Sequence, residues 1–206
     1  MKNKKRKLAL VGGGGHALSC AEVIESTGTH VIIGFFDPNK AAILSQYGYK
    51  YLGSDTHLRG SLDDDLEWAI SVGQIKSPKH RTNIFKTLVS LGAKLPSFLA
   101  SSCLFASGAV IGQGSMVFHK ALVNRGVSIG DNTIINSLSL LEHGVTIGNH
   151  CHIAPNTTIL GDVTVQDACF IGAGATVFPG VKIGKNSVIG AASVIREHIP
   201  SGSIIK

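Results

Sequence analysis

The chain lacks the features that mark zinc-binding and membrane proteins. It contains four cysteines, and their spacing matches no zinc-ligand pattern. No apolar run is long enough for a transmembrane helix or for the core of a signal peptide, because Leu8–Val11 is followed at once by four glycines. We therefore expect a cytoplasmic protein that does not insert into a membrane.

Net positive charge is concentrated in the first seven residues. The formal net charge is +6, and five positive charges belong to one run: Lys2, Lys4, Lys5, Arg6 and Lys7. A short basic run near a chain end is typical of a solvated leader, and the rest of the chain is close to neutral. We therefore expect no nucleic-acid partner.

What the sequence does contain is an uninterrupted six-residue period. Every sixth residue from Leu99 to Ile195 is aliphatic or aromatic, and the residue two positions before each one is small or β-branched. This pattern is typical of a parallel β-helix, in which three hexapeptides form one coil of about 18 residues. Cys103, Cys151 and Cys169 fall in the small-residue positions, so we interpret them as structural. The period predicts a β-helix over residues 96–206.

The first 95 residues alternate between strand-like and helix-like patterns. The apolar spacing predicts three strands and two helices: Lys7–Val11, Val31–Phe36 and Leu66–Val72 as strands, Ala17–Ser26 and Pro78–Leu91 as helices. Such alternation predicts a parallel sheet that binds ligands at the carboxyl ends of its strands. Residues 1–95 are therefore expected to form about half of a doubly wound (Rossmann-like) α/β fold.

A glycine-rich loop joins the first predicted strand to the first helix. Gly12, Gly14 and Ala17 satisfy the pattern G-x-G-x-x-A, and Asp37 follows at the distance of a dinucleotide site. Three strands are too few for a complete dinucleotide fold, so the loop favours a single nucleotide whose phosphate lies at the helix N-terminus. The alternative is a tight turn without a ligand, for which His16 would be an unusual residue.

Histidine is frequent, and most of the nine residues have an ordinary explanation. We expect four of them to be exposed in loops or at helix ends: His30, His57, His80 and His198.

The histidines of the repeat raise the question of a metal. The γ-class carbonic anhydrases also combine a hexapeptide helix with zinc-binding histidines, but a zinc site needs three ligands at one point. His119 and His143 are 24 residues apart, which places them on different faces of an 18-residue coil, so we expect no metal. His143 follows a strand at a corner, where an imidazole is suited to accept a proton. A plain surface histidine is the alternative.

Several segments together resemble the bacterial sugar O/N-acyltransferases. They are the Gly12–His16 loop, the strand that ends at Asp37, the helix with Arg81, and NSLSLLEHGVTIGNHCHIAPNTTILGDVTV from Asn136 to Val165. That family includes sialic-acid O-acetyltransferases and nucleotide-amino-sugar N-acetyltransferases. The similarity extends from Leu8 to about Ile199 and implies a left-handed β-helix.

The resemblance also implies roles for individual residues. His143 matches the general base, and Gly161 matches the backbone N–H that holds the thioester oxyanion. The acetyl-CoA contacts are matched by His152, Ala173 and Ala191. The nucleotide-sugar pocket is matched by Gly14, Gly15, His16, Asp37 and Gly73. The family forms homotrimers in which each active site lies between two β-helices.

One departure from the family concerns the residue after the general base. The family has Asp or Glu there, whereas this chain has Gly144. Glu142 precedes His143, but alternation along the strand predicts that it points to another face.

The resemblance predicts an acetyl-CoA-dependent N-acetyltransferase. Its substrate would be the amino group, at C4, of a nucleotide-linked sugar used for surface glycans. The alternatives are O-acetylation of a sialic-acid-like sugar and a non-catalytic protein that binds a nucleotide sugar.

Overall fold

The computed structural model describes residues 5–61, 63–75 and 77–206, which form an α/β domain followed by a left-handed parallel β-helix. The elements of the α/β domain are Arg6–Val11 (β1), Gly15–Ser26 (α1), His30–Phe36 (β2), Ile43–Gln46 (α2), Tyr51–Gly53 (β3), a 3₁₀ turn at Asp55–Ser61, Leu66–Ile70 (β4) and Lys79–Ser90 (α3). Within these described ranges, no helix combines the length and the hydrophobicity needed to cross a lipid bilayer.

Among the described residues, the N-terminal sheet has four parallel strands in the order β3-β2-β1-β4. The three predicted strands and both long helices are present, with ends displaced by one or two residues. The prediction missed β3 and α2. Each is only three or four residues long, too short to show a hydrophobic period.

The β-helix has three flat faces, each a ladder of parallel two-residue strands. Face 1 contains Phe98–Leu99 (β5), Met116–Val117 (β8), Ile134–Ile135 (β11), His152–Ile153 (β14), Phe170–Ile171 (β17), Val188–Ile189 (β20) and Ile204–Ile205 (β22). Face 2 contains Leu104–Phe105 (β6), Leu122–Val123 (β9), Leu140–Leu141 (β12), Thr158–Ile159 (β15), Thr176–Val177 (β18) and Val194–Ile195 (β21). Face 3 contains Val110–Ile111 (β7), Ser128–Ile129 (β10), Thr146–Ile147 (β13), Thr164–Val165 (β16) and Lys182–Ile183 (β19).

The six-residue period is confirmed as the core of the β-helix. Its aliphatic residues point inward and stack coil on coil, and Ile135, Leu141 and Ile153 are fully buried. Paired residues on neighbouring coils are 18 apart, as in the pairing of Leu140 with Thr158. The last coil is two residues shorter, because Val188 pairs with Ile204. Each coil therefore buries its apolar residues only against the coils above and below it.

Polar side chains also stack inside the β-helix, beneath face 1. On six successive coils the small residue is Ser, Thr or Cys, and each donates a hydrogen bond to a backbone carbonyl further along the chain. The carbonyl is 15 residues on for the first five and 13 residues on for the last. The donors are Ser97, Ser115, Thr133, Cys151, Cys169 and Ser187. The structural interpretation of Cys151 and Cys169 therefore agrees with their buried positions and hydrogen bonds.

The α/β domain is fastened to face 1 by apolar and polar contacts. The buried face of α1 packs against Phe98, Met116 and Ile134 of the β-helix. Arg81 of α3 is fully buried. Its Nη1 donates to the carbonyls of Ile70 and Val72, at and just after the end of β4, at 2.7 and 2.8 Å. The two parts of the chain therefore share one apolar core at this junction.

The segment after β4 is also hydrogen-bonded to face 1 directly. The ring Nδ1 of His152 donates to the Gln74 carbonyl at 2.6 Å, and Gln74 Nε2 donates to the Cys169 carbonyl at 3.4 Å. Arg81 Nε donates to the Asn132 carbonyl at 3.4 Å. We call His152, Gln74 and Arg81 the interdomain clamp.

Two expectations about charged groups are corrected by the structure. His30 was expected to be exposed but is 2% exposed, because its Nε2 lies 2.5 Å from the carboxylate of Glu67 on the far side of β1. Arg6 and Lys7 belong to β1 and not to a leader in front of it; both side chains are exposed, as expected, and Arg6 pairs with Glu67 at 2.8 Å. Lys2 and Lys4 of that predicted leader lie outside the described residues.

We predict that Thr133→Val destabilises the protein although the two side chains have the same shape. Thr133 Oγ1 donates to the Gly148 carbonyl at 2.8 Å and accepts from the Cys151 N–H at 3.1 Å. Losing the hydroxyl leaves buried polar groups unpaired, at a cost of about 1–3 kcal/mol in the free energy of unfolding. Urea unfolding measures this cost. The matched control is Thr164→Val, on the outer side of face 3; equal stability of the two variants would contradict the prediction.

We also predict that acid weakens the folded state through His152. Burial, partly offset by the hydrogen bond to Gln74 and reinforced by Arg81, lowers the pKa of His152 to about 4. In the unfolded chain a histidine has a pKa near 6.5, so between about pH 6.5 and pH 4 only the unfolded state takes up this proton. The free energy of unfolding then falls with pH by up to about 1.4 kcal/mol per unit.

The measurement is urea unfolding at pH 7 and pH 5 for the wild type, for His152→Gln and for His80→Gln, which removes an exposed histidine of α3. His152→Gln should show a smaller loss between the two pH values than the other two proteins. A loss of the same size in all three would rule out His152 as the source.

Candidate functional site

His143 lies at the corner between face 2 and face 3, just after β12, and its ring is exposed. The ring rests on Gly161, one coil above. A β-carbon built on Gly161 would lie 2.6 Å from His143 Cε1 and 2.9 Å from Nε2. The ring can therefore hold this position only because residue 161 has no side chain. In the described part of the chain, the Gly161 N–H has no hydrogen-bond partner.

Glu142 does not serve His143, as the alternation of the strand predicted. Its carboxylate accepts a hydrogen bond of 2.9 Å from Asn124 Nδ2, on the coil below. Neither ring nitrogen of His143 forms a hydrogen bond with any described residue. The imidazole is therefore free to exchange a proton with a bound molecule.

The glycine-rich loop leads into α1 with an open N-terminus. The helix has no side-chain N-cap, and its first turn contains no acidic residue. The space over Gly14 is open, and over Gly15 the nearest atom to a built β-carbon is a methyl of Ile43 at 3.8 Å. Free N–H groups and the helix dipole make this end suitable for a phosphate.

Asp37 shapes this loop from the end of β2. Its two carboxylate oxygens accept hydrogen bonds from the Gly13 N–H at 2.7 Å and from the Asn39 N–H at 2.8 Å. The aspartate expected to bind the nucleotide sugar is thus already used to hold the loop in place. It retains lone pairs for a ligand hydroxyl, since a carboxylate accepts about four hydrogen bonds.

His16 lies where the loop, Gly73 and the β-helix meet. Its ring stacks on Phe118 with a centroid distance of 5.5 Å and lies 6.0 Å from the ring of His152. Burial, with smaller effects from His152 and Arg81, lowers the pKa of His16 to about 3, so the ring is neutral at physiological pH. Its buried Nε2 has no partner among the described residues, as expected for a group that hydrogen-bonds a ligand.

His152 occupies a more internal position than its expected contact with acetyl-CoA suggests. The side chain is part of the interdomain clamp and is 6% exposed. Both ring nitrogens are used within the chain, Nδ1 by the Gln74 carbonyl and Nε2 by Asn136 Nδ2 at 3.2 Å. This arrangement requires the neutral ring with its proton on Nδ1.

Ala173 and Ala191 lie one coil apart at the corner between face 1 and face 2. Both are exposed, and within the described residues neither N–H has a hydrogen-bond partner. Face 2 separates this corner from the corner of His143 and Gly161. Within one chain, the predicted catalytic residues and the two alanines predicted to contact acetyl-CoA therefore lie at different corners of the β-helix.

Sequence reasoning missed residues that act only through the folded arrangement. Gln74, Asn136 and Phe118 surround the two buried histidines, and no local pattern marks them. No group of three or more His, Cys, Asp or Glu side chains in the described ranges is placed to hold a metal ion.

Comparison with protein-family models divides the chain in the same way as its fold. Residues 7–88 match the PglD N-terminal domain. Residues 126–161 and 144–178 match the bacterial transferase hexapeptide (six repeats), and residues 163–196 match the hexapeptide repeat of succinyl-transferase. No curated protein sequence gives a match.

Solved structures similar to this chain include acetyltransferases. The acetyltransferase domain of PglB from Neisseria gonorrhoeae, in complex with acetyl coenzyme A, is 30% identical with a TM-score of 0.89, covering 98% of this chain and 96% of that one. PerB from Caulobacter crescentus, in complex with CoA and GDP-perosamine, is 26% identical with a TM-score of 0.87, covering 96% and 92%. WeeI from Acinetobacter baumannii shares the fold at 19% identity, with a TM-score of 0.84 and coverage of 96% and 94%.

Similarity to the PglB domain over nearly the full length of both chains agrees with the PglD-type N-terminal domain and the hexapeptide coils. The chain therefore belongs to the bacterial sugar acyltransferase family and is an acyltransferase.

Proposed function

We propose that this protein transfers the acetyl group of acetyl-CoA to an amino group, at C4, of a nucleotide-linked sugar. The observation that carries the proposal is the exposed imidazole of His143 resting on Gly161, whose N–H is unpaired within the described residues. A free base beside a free backbone donor is what attack on a thioester requires. The donor and acceptor classes are supported by the ligands bound in PglB and PerB.

In this proposal residues 1–95 bind the acceptor. Its phosphates lie at the uncapped N-terminus of α1, over Gly14 and Gly15. The neutral His16 offers its unpaired Nε2 to the ligand, and Asp37 and Gly73 border the same pocket. Because both substrates are cytoplasmic metabolites, we place the reaction in the cytoplasm, as a step of surface glycan synthesis.

Residues 96–206 bind the donor. The unpaired N–H groups of Ala173 and Ala191 are one coil apart and suit the amide carbonyls of a pantetheine arm. With both of its ring nitrogens already bonded, His152 contributes to the donor site by fixing the shape of face 1.

The chemical step is a direct transfer. The acceptor nitrogen attacks the thioester carbonyl, and His143 takes the proton that the nitrogen loses. The Gly161 N–H donates to the developing oxyanion. The C–S bond then breaks, and the thiolate of CoA leaves and is protonated. No acyl-enzyme is needed: Cys151 and Cys169 point into the β-helix, where their Sγ atoms bond to carbonyls.

The separation of the two regions supports a site shared between copies of the chain. His143 and Ala173 stand at opposite edges of face 2, so one chain alone does not bring them to one point. Contact between one corner of one copy and a different corner of the next is heterologous, and such contacts close into rings. We propose a homotrimer with face 2 toward the three-fold axis.

The surface of face 2 supports this orientation. Its outward strand positions begin with three stacked leucines, Leu104, Leu122 and Leu140. Leu104 is 55% exposed in the single chain. A contiguous apolar stripe of this kind is typical of a protein–protein interface.

We predict that His143→Ala lowers turnover about 10²–10⁴-fold, because it removes the general base, while acetyl-CoA binding stays within about twofold. Thiol release from acetyl-CoA is measured with UDP-, GDP- and dTDP-linked 4-amino sugars, beside free and CMP-linked sialic acid. Gly161→Ala, which displaces the ring of His143, should also lose turnover. His57→Gln, an exposed histidine far from the corner, should keep wild-type turnover.

The panel also separates the alternatives. Turnover only with a sialic acid would replace N-acetylation by O-acetylation. Unchanged turnover in His143→Ala would contradict the assignment of the base. A wild-type protein that binds neither acetyl-CoA nor any nucleotide sugar would contradict the proposal as a whole.

We predict that Leu104→Glu dissociates the trimer and abolishes turnover, because a charge enters the buried interface. Light scattering after size-exclusion chromatography measures the mass. Val110→Glu is the matched control: it lies on the same coil, on face 3, and is similarly exposed at 57%. Loss of the trimer in both variants, or in neither, would contradict the proposed orientation.

A further inference from the structure

His143 needs a partner that fixes its orientation. An exposed imidazole that acts as a base is commonly held in one tautomer by a third group. Among the described residues the ring touches Gly161 but forms no hydrogen bond. In the coil of His143 and the two coils next to it, three charged side chains lie at this corner, Arg125, Glu142 and Asp162, and two of them are already engaged.

Arg125, one coil below, is directed away from His143. Its guanidinium donates to Ser107, from Nε to the carbonyl at 3.4 Å and from Nη2 to the hydroxyl at 3.2 Å. Glu142 is held by Asn124 at 2.9 Å. Neither group is therefore available to the ring.

The third charged group is Asp162, one coil above Gly144. Its backbone N–H donates to the His143 carbonyl at 3.0 Å, which fixes the two residues side by side. Its side chain is exposed, and within the described residues the carboxylate has no hydrogen-bond or ion-pair partner. Asp162 thus presents a free carboxylate at the corner of His143.

Gly144 makes room for this carboxylate. A β-carbon built on Gly144 would overlap Asp162 Oδ1. Residue 144 also has φ +69°, in the left-handed region that favours glycine. A side chain at 144 would therefore displace the carboxylate of residue 162 from its present place.

We propose that Asp162 is the positioning residue of His143. Its carboxylate accepts a hydrogen bond from His143 Nδ1–H and leaves Nε2 to take the proton of the acceptor. The inference rests on the proposed function of His143 as the base. The two side chains are not bonded to each other in the described structure; since both are exposed, pairing costs only rotamer freedom.

The first test needs no substrate. The ¹⁵N shifts of the His143 ring, assigned by comparison with His143→Gln, report which nitrogen carries the proton. In the wild type the neutral ring should carry it on Nδ1, whereas in Asp162→Asn it should shift toward Nε2, the form that free imidazole side chains prefer. Asparagine tolerates the left-handed backbone of residue 162, which has φ +61°. An identical tautomer in both proteins would overturn the proposal.

The second test uses kinetics. Asp162→Asn should lower kcat about tenfold and leave both KM values within about twofold. The matched control is Glu197→Gln, which removes an exposed carboxylate at the same corner, two coils above Gly161. This variant should leave kcat and both KM values unchanged.

A third test exchanges the residues at positions 144 and 162. The double variant Gly144→Asp, Asp162→Gly moves the carboxylate to the residue beside His143, and it should recover part of the kcat lost in Asp162→Asn. A kcat that is unchanged in Asp162→Asn would overturn the proposal. If the tautomer responds to Asp162 but no panel substrate turns over, the proposed function fails while the pairing of Asp162 with His143 stands.

Discussion

The register of 18 residues per coil is the constraint on which the other features of this molecule depend. Backbone hydrogen bonds join each coil to the next, and in all but the last coil they place each residue above the one 18 positions earlier. Through that register His143 comes to lie under Gly161, and Thr133 comes to lie under Cys151. An insertion of one residue between two coils would move a whole column of side chains to a different face. Which residues of the site lie one above another thus follows from the 18-residue length of a coil.

The interdomain clamp adds a different kind of constraint, because the buried Arg81 has no carboxylate partner among the described residues. Burial lowers the pKa of Arg81 to about 10, so the guanidinium stays charged at neutral pH. Its charge is balanced by the carbonyls of Ile70, Val72 and Asn132, which come from both parts of the chain. A buried charge is tolerated only when it is well hydrogen-bonded. Moving the domain away from face 1 would therefore break these bonds together.

Through these contacts the proposed acceptor pocket is coupled to the β-helix. His16 belongs to α1, yet its ring stacks on Phe118 of the β-helix and lies against His152. The segment that contains Gly73 passes directly under the same ring. Small changes in how the domain sits on face 1 would therefore change the shape of the acceptor pocket.

Much of the fold could be predicted because the dominant signal is periodic. The seventeen repeats from Leu99 to Ile195 identify the core of the β-helix without any tertiary information. By contrast, β3 pairs with β2 through only a few residues, and nothing local distinguishes it from a loop. His30 was assigned to the surface for a similar reason, since its partner Glu67 is 37 residues away.

In the candidate site, too, only the features that follow from the repeat could be predicted from the sequence. That Gly161 lies over His143 follows from the coil length, and the same arithmetic places Asp162 over Gly144. What the sequence could not show is that the two positions compete for one volume. The roles of Gln74 and Asn136 could not be predicted either. They hydrogen-bond the two ring nitrogens of His152, but they lie in separate parts of the chain.

The geometry of a β-helix finally supports the proposal that the active site is shared between two copies of the chain. A solenoid with three flat faces aligns residues along its axis, so it readily builds columns at one corner. It cannot bring two different corners together, because a whole face lies between them. His143 and Gly161 occupy one corner and Ala173 and Ala191 another. In the proposed trimer a second copy of the chain brings these two columns together, and a three-fold rotation about an axis parallel to the β-helix axis repeats the contact until the ring closes.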